Sequence, residues 1–175
     1  MASRGQHKLL ELGSRAPDFH LELLSGGTST LAEILTGGPV LLAFFKISCP
    51  VCQMTFPFLE RIHAAGALRI FGISQNDAAD TREFNQEFGV TFPTLLDSED
   101  SQFPASNDYG ISSVPTMFLV EPLPTQPGGV ISKVMEGWRK KEIEGLAAPT
   151  MAPPGALADA GLFRPGEYVP EWKAG

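Results

Sequence analysis

Val40-Leu41-Leu42-Ala43-Phe44-Phe45 runs directly into Lys46-Ile47-Ser48-Cys49-Pro50-Val51-Cys52. The first six residues are apolar at every position, so a strand built from them must be covered on both faces, as a central strand between helices is. Both cysteines of the protein stand just past its end, separated only by Pro50 and Val51. Proline is suited to the first position of a helix, because the N–H it lacks would have had no partner there. Pro50 therefore places Cys49 at the N-cap of the next helix, where unpaired N–H groups and the helix dipole favour a thiolate and lower a thiol pKa from roughly 8.5. Cys52 follows one turn deeper on the same side, within reach of Cys49 for a small disulfide ring. The spacing predicts an exposed, acidified Cys49 and a shielded Cys52.

With 175 residues, 43% of them hydrophobic and 19% charged, the chain can bury a full core as one domain. Its formal charge of −7 argues against nucleic acid or an anionic membrane surface as partner, since both take clustered Lys and Arg. The longest basic run is Arg139-Lys140-Lys141. Residues 1–13 lack the apolar length of a signal peptide or a membrane span, which predicts a cytoplasmic protein. A chain whose leader had been removed reads the same. A disulfide closing so short a loop restricts the unfolded chain little, so the CxxC serves reactivity or metal rather than stability. Zinc would need two further ligands, and there is neither a second CxxC nor a close pair among His7, His20 and His63, so no metal is expected.

Outward from the CxxC, residues 50–65 read as a helix with Phe56, Leu59 and Ile62 at helical spacing and Pro57 inside it, where a kink is expected. Residues 68–74 read as a second buried strand and residues 77–88 as an amphipathic helix ended by Gly89. Strand, helix, strand and helix in this order imply parallel strands with right-handed crossovers. Upstream, the alternation in residues 19–23 and the Gly26-Gly27 turn predict a hairpin, followed by a short helix over residues 31–35. Downstream, residues 94–97 lead into a polar stretch in which Asp97, Glu99 and Asp100 read as a solvated loop rather than an acid–base pair. Residues 116–120 and 130–135 form a second hairpin, and residues 139–147 a last helix. The organisation expected is a flexible segment over 1–15, one domain over 16–148 and a Pro/Gly-rich extended arm over 149–175.

Ala16-Pro17-Asp18-Phe19, the strand entering Ser48-Cys49-Pro50-Val51-Cys52, Pro57, Phe92-Pro93, Asp108-Tyr109-Gly110 and Val114-Pro115-Thr116 together resemble the thioredoxin-like redoxins of the TlpA/ResA type, within the AhpC/TSA superfamily. The likeness spans residues 16–135, about two thirds of the chain. It implies a thioredoxin-like α/β fold: a central mixed sheet flanked by helices, an N-terminal β-hairpin, and an insertion between the βαβ and ββα halves. It also implies a dithiol that reduces or exchanges disulfides without a bound cofactor, with Cys49 attacking and Cys52 resolving. Pro115 would be a cis proline facing the dithiol and keeping metal from it, a bond type confined almost wholly to X–Pro. The Val114 backbone would pair with an extended substrate, Pro115, Ser48 and Pro50 would contact that substrate around the nucleophile, and Gly137 would be the small residue beside the site. Partners implied are protein or small-molecule disulfides and an upstream dithiol donor.

The departures from the family pattern are specific. Ser48 stands where Trp is usual, and Ala43 where thioredoxins bury an acid. The strand ending in Ser74-Gln75-Asn76 offers no replacement for the buried glutamate of ResA-type proteins, so Lys46, Asp77, Glu60 or a water remain as routes for the Cys52 proton. Three functions are compatible with these residues: a thiol-disulfide oxidoreductase; a thiol peroxidase, weakened because Lys46 and Leu42 stand where that chemistry carries Thr and Pro; and a non-catalytic binding module, against which the intact dithiol weighs.

Overall fold

The computed structural model describes residues 8–148 and 161–175, and it is built around the Val40–Phe45 strand. In chain order come β1 (Arg15–Ala16), β2 (His20–Leu23), β3 (Thr28–Thr30), α1 (Leu31–Leu35), β4 (Val40–Phe45), α2 (Pro50–Ala64), β5 (Ile70–Ser74), α3 (Ala78–Glu87) and β6 (Thr94–Leu96). A 3-10 turn (Glu99–Ser101), α4 (Pro104–Tyr109), β7 (Thr116–Pro122), β8 (Gly129–Glu136), β9 (Trp138–Arg139), α5 (Lys140–Ala147) and β10 (Trp172–Lys173) complete the chain. Eight strands form one sheet in the order β1-β8-β7-β4-β5-β6-β2-β3, with β4, β5 and β6 parallel and the remaining pairs antiparallel. This is the mixed sheet expected, with β2 and β3 as the N-terminal hairpin at one edge.

Every residue of β4 is buried, and the two-residue period of a strand divides them between two cores. Leu41, Ala43 and Phe45 join Cys52, Phe56, Leu59 and Ile62 of α2, Phe84 of α3 and Ile143 and Leu146 of α5. Val40, Leu42 and Phe44 join Leu31, Ile34 and Leu35 of α1, Tyr109 of α4 and Phe118 of β7. Full burial of a Leu or Phe side chain is worth roughly 2 kcal/mol, so two-sided coverage makes β4 the most strongly held element and a rigid support for the loop that carries Cys49. The helix α2 runs on through Pro57.

Two of the sequence motifs meet in the second core. The Tyr109 hydroxyl donates to Pro17 O at 2.8 Å, and Asp18 Oδ1 accepts from Phe19 N at 2.9 Å and Ala32 N at 3.3 Å. Residues 8–15, expected to be flexible, are tied into the fold. Leu10 N donates to Tyr109 O, Gly13 N to Ile131 O, and Ile131 N to Ser14 O, while Leu9 and Leu10 pack on the core. Leu9, Leu10 and Leu12 interrupt this otherwise polar stretch, but the acceptors that hold it belong to β8 and α4 and lie far from it in sequence. Residues 161–175 are likewise packed on the domain; residues 1–7 and 149–160 of the two expected flexible or extended segments lie outside the described residues. Among the described residues no helix is long and apolar enough to cross a membrane.

Candidate active site

The loop between β4 and α2 is held at three points. Gln75 N donates to Phe45 O at 3.0 Å, Ile47 N donates to Asn76 Oδ1 at 3.0 Å, and Gln53 Nε2 donates to Ile47 O at 2.8 Å. Asn76, noticed in the sequence only because it is not an acid, thus positions the loop from the end of β5. Cys49 is the N-cap of α2, with extended backbone and Pro50 behind it. Its Sγ accepts from Cys52 N at 3.2 Å, the bond an N-cap side chain makes to satisfy an unpaired helical amide.

The two sulfurs sit in contrasting surroundings. Cys49 is partly exposed and Cys52 fully buried. A hydrogen bond from the Cys52 thiol is the largest influence on Cys49; the amides of Cys52 and Val51 and the charge of Lys46 act in the same direction, outweigh burial, and bring the Cys49 thiol down to about 6. Burial, then the hydrogen bond to Cys49 and its charge, pushes the Cys52 thiol up, far above the ordinary range. Glu60 and Asp77, two of the proton routes the sequence left open, are engaged elsewhere. Glu60 accepts from Thr91 N and Oγ and from Phe92 N, and Asp77 caps α3 through Asp80 N.

The Val114–Pro115 peptide bond is cis, as the resemblance implies, and Cys49 Sγ lies 3.3 Å from Val114 O, to which the thiol donates. Gly137, with φ of +68°, donates its N–H to Pro115 O at 2.8 Å and so fixes the far side of the same turn. Beside Cys49 opens a cleft of about 480 Å³ lined by Lys46, Gln75, Phe103, Val114 and Gly175 among others. Ser48 and Pro50 are exposed on either side of Cys49 and stand outside the cleft lining.

The cleft wall rests on Asp97. This side chain is fully buried, contrary to the solvated loop expected of it. It accepts from Ala105 N at 2.9 Å, Ser106 N at 2.7 Å and Ser106 Oγ at 2.6 Å, and Ser106 Oγ in turn accepts from Gln75 Nε2 at 2.8 Å. The carboxylate therefore holds the start of α4, whose Ser106 faces the cleft. The sequence signal was available: an acid with a helix opening a few residues on, at Pro104. It was masked by the neighbouring Glu99 and Asp100, which are exposed. Among the described residues no group of three or more His, Cys, Asp or Glu side chains could hold a metal ion.

The curled mixed sheet, the dithiol at a helix N-terminus and the facing cis proline define a thioredoxin-fold protein with a CxxC centre. The chain belongs to the AhpC/TSA family, whose model matches residues 12–125. It is 29% identical over 135 residues to the thiol-disulfide oxidoreductase ResA of Geobacillus thermodenitrificans, covering 75% of this chain and 72% of that one. It is 30% identical over 142 residues to the thioredoxin-like protein YneN of Bacillus subtilis, covering 77% and 78%. Among solved structures, a thiol:disulfide interchange protein from a Bacteroides species superposes with a TM-score of 0.62 at 25% identity, covering 71% of this chain and 81% of that one.

Proposed function

We propose that this chain is a thiol-disulfide oxidoreductase in which Cys49 is the nucleophile and Cys52 the resolving thiol. The observation that carries the reading is the asymmetry of the pair: one partly exposed thiol brought down to about 6, hydrogen bonded to a buried thiol held protonated. At neutral pH Cys49 is a thiolate. It attacks one sulfur of a substrate disulfide, and the other sulfur leaves as a thiolate that takes a proton from water, giving a mixed disulfide. With the Cys49 charge gone, the burden on Cys52 falls to burial alone. Cys52 then gives its proton to water, attacks Cys49 Sγ and expels the second substrate sulfur as a thiolate that is protonated by water in turn, leaving the Cys49–Cys52 disulfide. Two electrons pass from the dithiol to the substrate, and an external dithiol restores them. The Val114 carbonyl, which the neutral Cys49 thiol contacts, loses that donor when Cys49 ionises and becomes available to a substrate main-chain N–H.

The test is Cys52→Ser. Cys49 still attacks but nothing releases the substrate, so mixed disulfides with cellular proteins accumulate and disappear on reduction. Rapid peroxide turnover by that variant through a sulfenic acid, without trapped partners, would instead assign the protein to the peroxidases of the family.

A further inference from the structure

Residues 161–175 take a path that leads from the back of α2 to the dithiol. Leu162 O and Glu167 both accept from Arg61, the latter in a two-pronged ion pair, which brings the Glu167 carboxyl down to about 2. Phe163 meets Phe58 edge to face, with ring centroids 5.4 Å apart, and Trp138 Nε1 donates to Pro170 O at 2.6 Å. From there β10 pairs antiparallel with β9, Trp172 opposite Arg139 and Lys173 opposite Trp138. Lys140 N donates to Glu171 O at 3.0 Å. Antiparallel pairs alternate between bonded and non-bonded, so Lys173 and Trp138 also exchange main-chain bonds. The segment then crosses Gly137, where any side chain would collide with Lys173 O and Gly175 N, and ends against the cis peptide. A β-carbon on Gly175 would stand 2.6 Å from Val114 O and 2.9 Å from its carbonyl carbon.

We infer that residues 171–175 occupy, within the chain, the groove that an extended disulfide-bearing peptide takes during exchange, so that substrate must displace them from the β9 edge and the Val114 main chain. This rests on the exchange activity proposed above. The segment is arranged for displacement. Residues 162, 163 and 167 are partly buried and anchored, whereas residues 171–175 are all exposed and Trp172 keeps 56% of its surface in water. Lifting them sacrifices main-chain bonds but little apolar burial, and an incoming strand replaces those bonds by adding to the same edge. The groove therefore selects extended polypeptide over compact small disulfides.

The experiment compares the unaltered chain with Lys173→Pro, which removes one strand donor, and with the double variant Phe163→Ser, Glu167→Lys, which frees the anchor. Attack by Cys49 is timed on a peptide disulfide and on hydroxyethyl disulfide, each below saturation. A segment filling the groove roughly nine-tenths of the time lowers apparent peptide affinity about tenfold. Both variants should therefore gain about that factor on the peptide and change less than about twofold on the small disulfide. An equal change on both substrates, or none on the peptide, overturns the inference and leaves the exchange activity standing. No attack on either disulfide by any form overturns the activity and the inference together. Independently of any variant of the segment, the Lys173 amide, which leaves with the segment while the incoming strand takes over the β9 edge, should exchange hydrogen slowly at rest and faster once the peptide is trapped on Cys49 in Cys52→Ser. Persistent protection in that mixed disulfide also overturns it.

Discussion

The Cys52 backbone nitrogen lies 3.2 Å from Cys49 Sγ, so Cys52, proposed above as the resolving thiol, also stabilises the Cys49 thiolate through its own amide and thiol. The effect on reactivity is direct. Alkylation of Cys49 in the reduced protein should rise with pH around a midpoint near the value of about 6 set by these donors. In Cys52→Ala the amide remains but the largest influence, the Cys52 thiol, is lost. The midpoint should then move toward the roughly 8.5 of a free thiol, as read from iodoacetamide rates against pH.

Stability of the reduced form should depend on the two thiols in opposite directions. Cys49 has a folded pKa near 6, below that of an unfolded thiol, so the unfolded state binds more protons between about 6 and 8.5 and stability rises with pH across that window. Cys52 is raised in the fold, so above about 8.5 the unfolded chain ionises and the folded one does not, and stability falls. Urea titrations at several pH values should give a maximum at about pH 8.5, where the two opposing slopes cancel. Cys49→Ser should remove the rising limb, and Cys52→Ala the contribution of that thiol to the falling one.

Ala43 is buried in the same cluster as Cys52. Ala43→Asp should place an acid there, costing about 3–5 kcal/mol if the carboxylate is ionised without a partner and accelerating release of substrate from the mixed disulfide by giving the Cys52 proton an acceptor. Denaturant unfolding reads the first effect and single-turnover release the second. A destabilised protein with unchanged release would show that proton loss from Cys52 does not limit resolution.

Asp97→Ala should leave the amides of Ala105 and Ser106 and the Ser106 hydroxyl without their shared acceptor. A loss of about 3 kcal/mol is expected for stranding buried donors that met a carboxylate. Asp97→Asn, which keeps one acceptor oxygen, should lose less. Because Ser106 lines the cleft, exchange with peptide disulfides should fall more than the alkylation rate of Cys49, which does not depend on that wall.

What the sequence determined was local and periodic. Six apolar residues in a row specify a strand covered on both faces, Pro50 specifies where the helix begins, and their junction puts Cys49 at a helix N-terminus with Cys52 one turn behind; the order of strands and helices then allows few topologies. Tertiary structure decided what depends on groups far apart in the chain. Asp97 reads as a solvated acid until Ala105 and Ser106 converge on it. Asn76 reads as a missing glutamate until Ile47 N meets it. Residues 8–15 and 161–175 read as loose ends because their partners, Ile131, Tyr109, Arg61 and Trp138, are contributed by other elements. The placement of Gly175 on the Val114 peptide belongs to this second kind: glycine and lysine in a polar tail carry no address, and the edge of β9 that receives them exists only once the sheet has brought Gly137 against Pro115 and set Trp138 and Arg139 next to it.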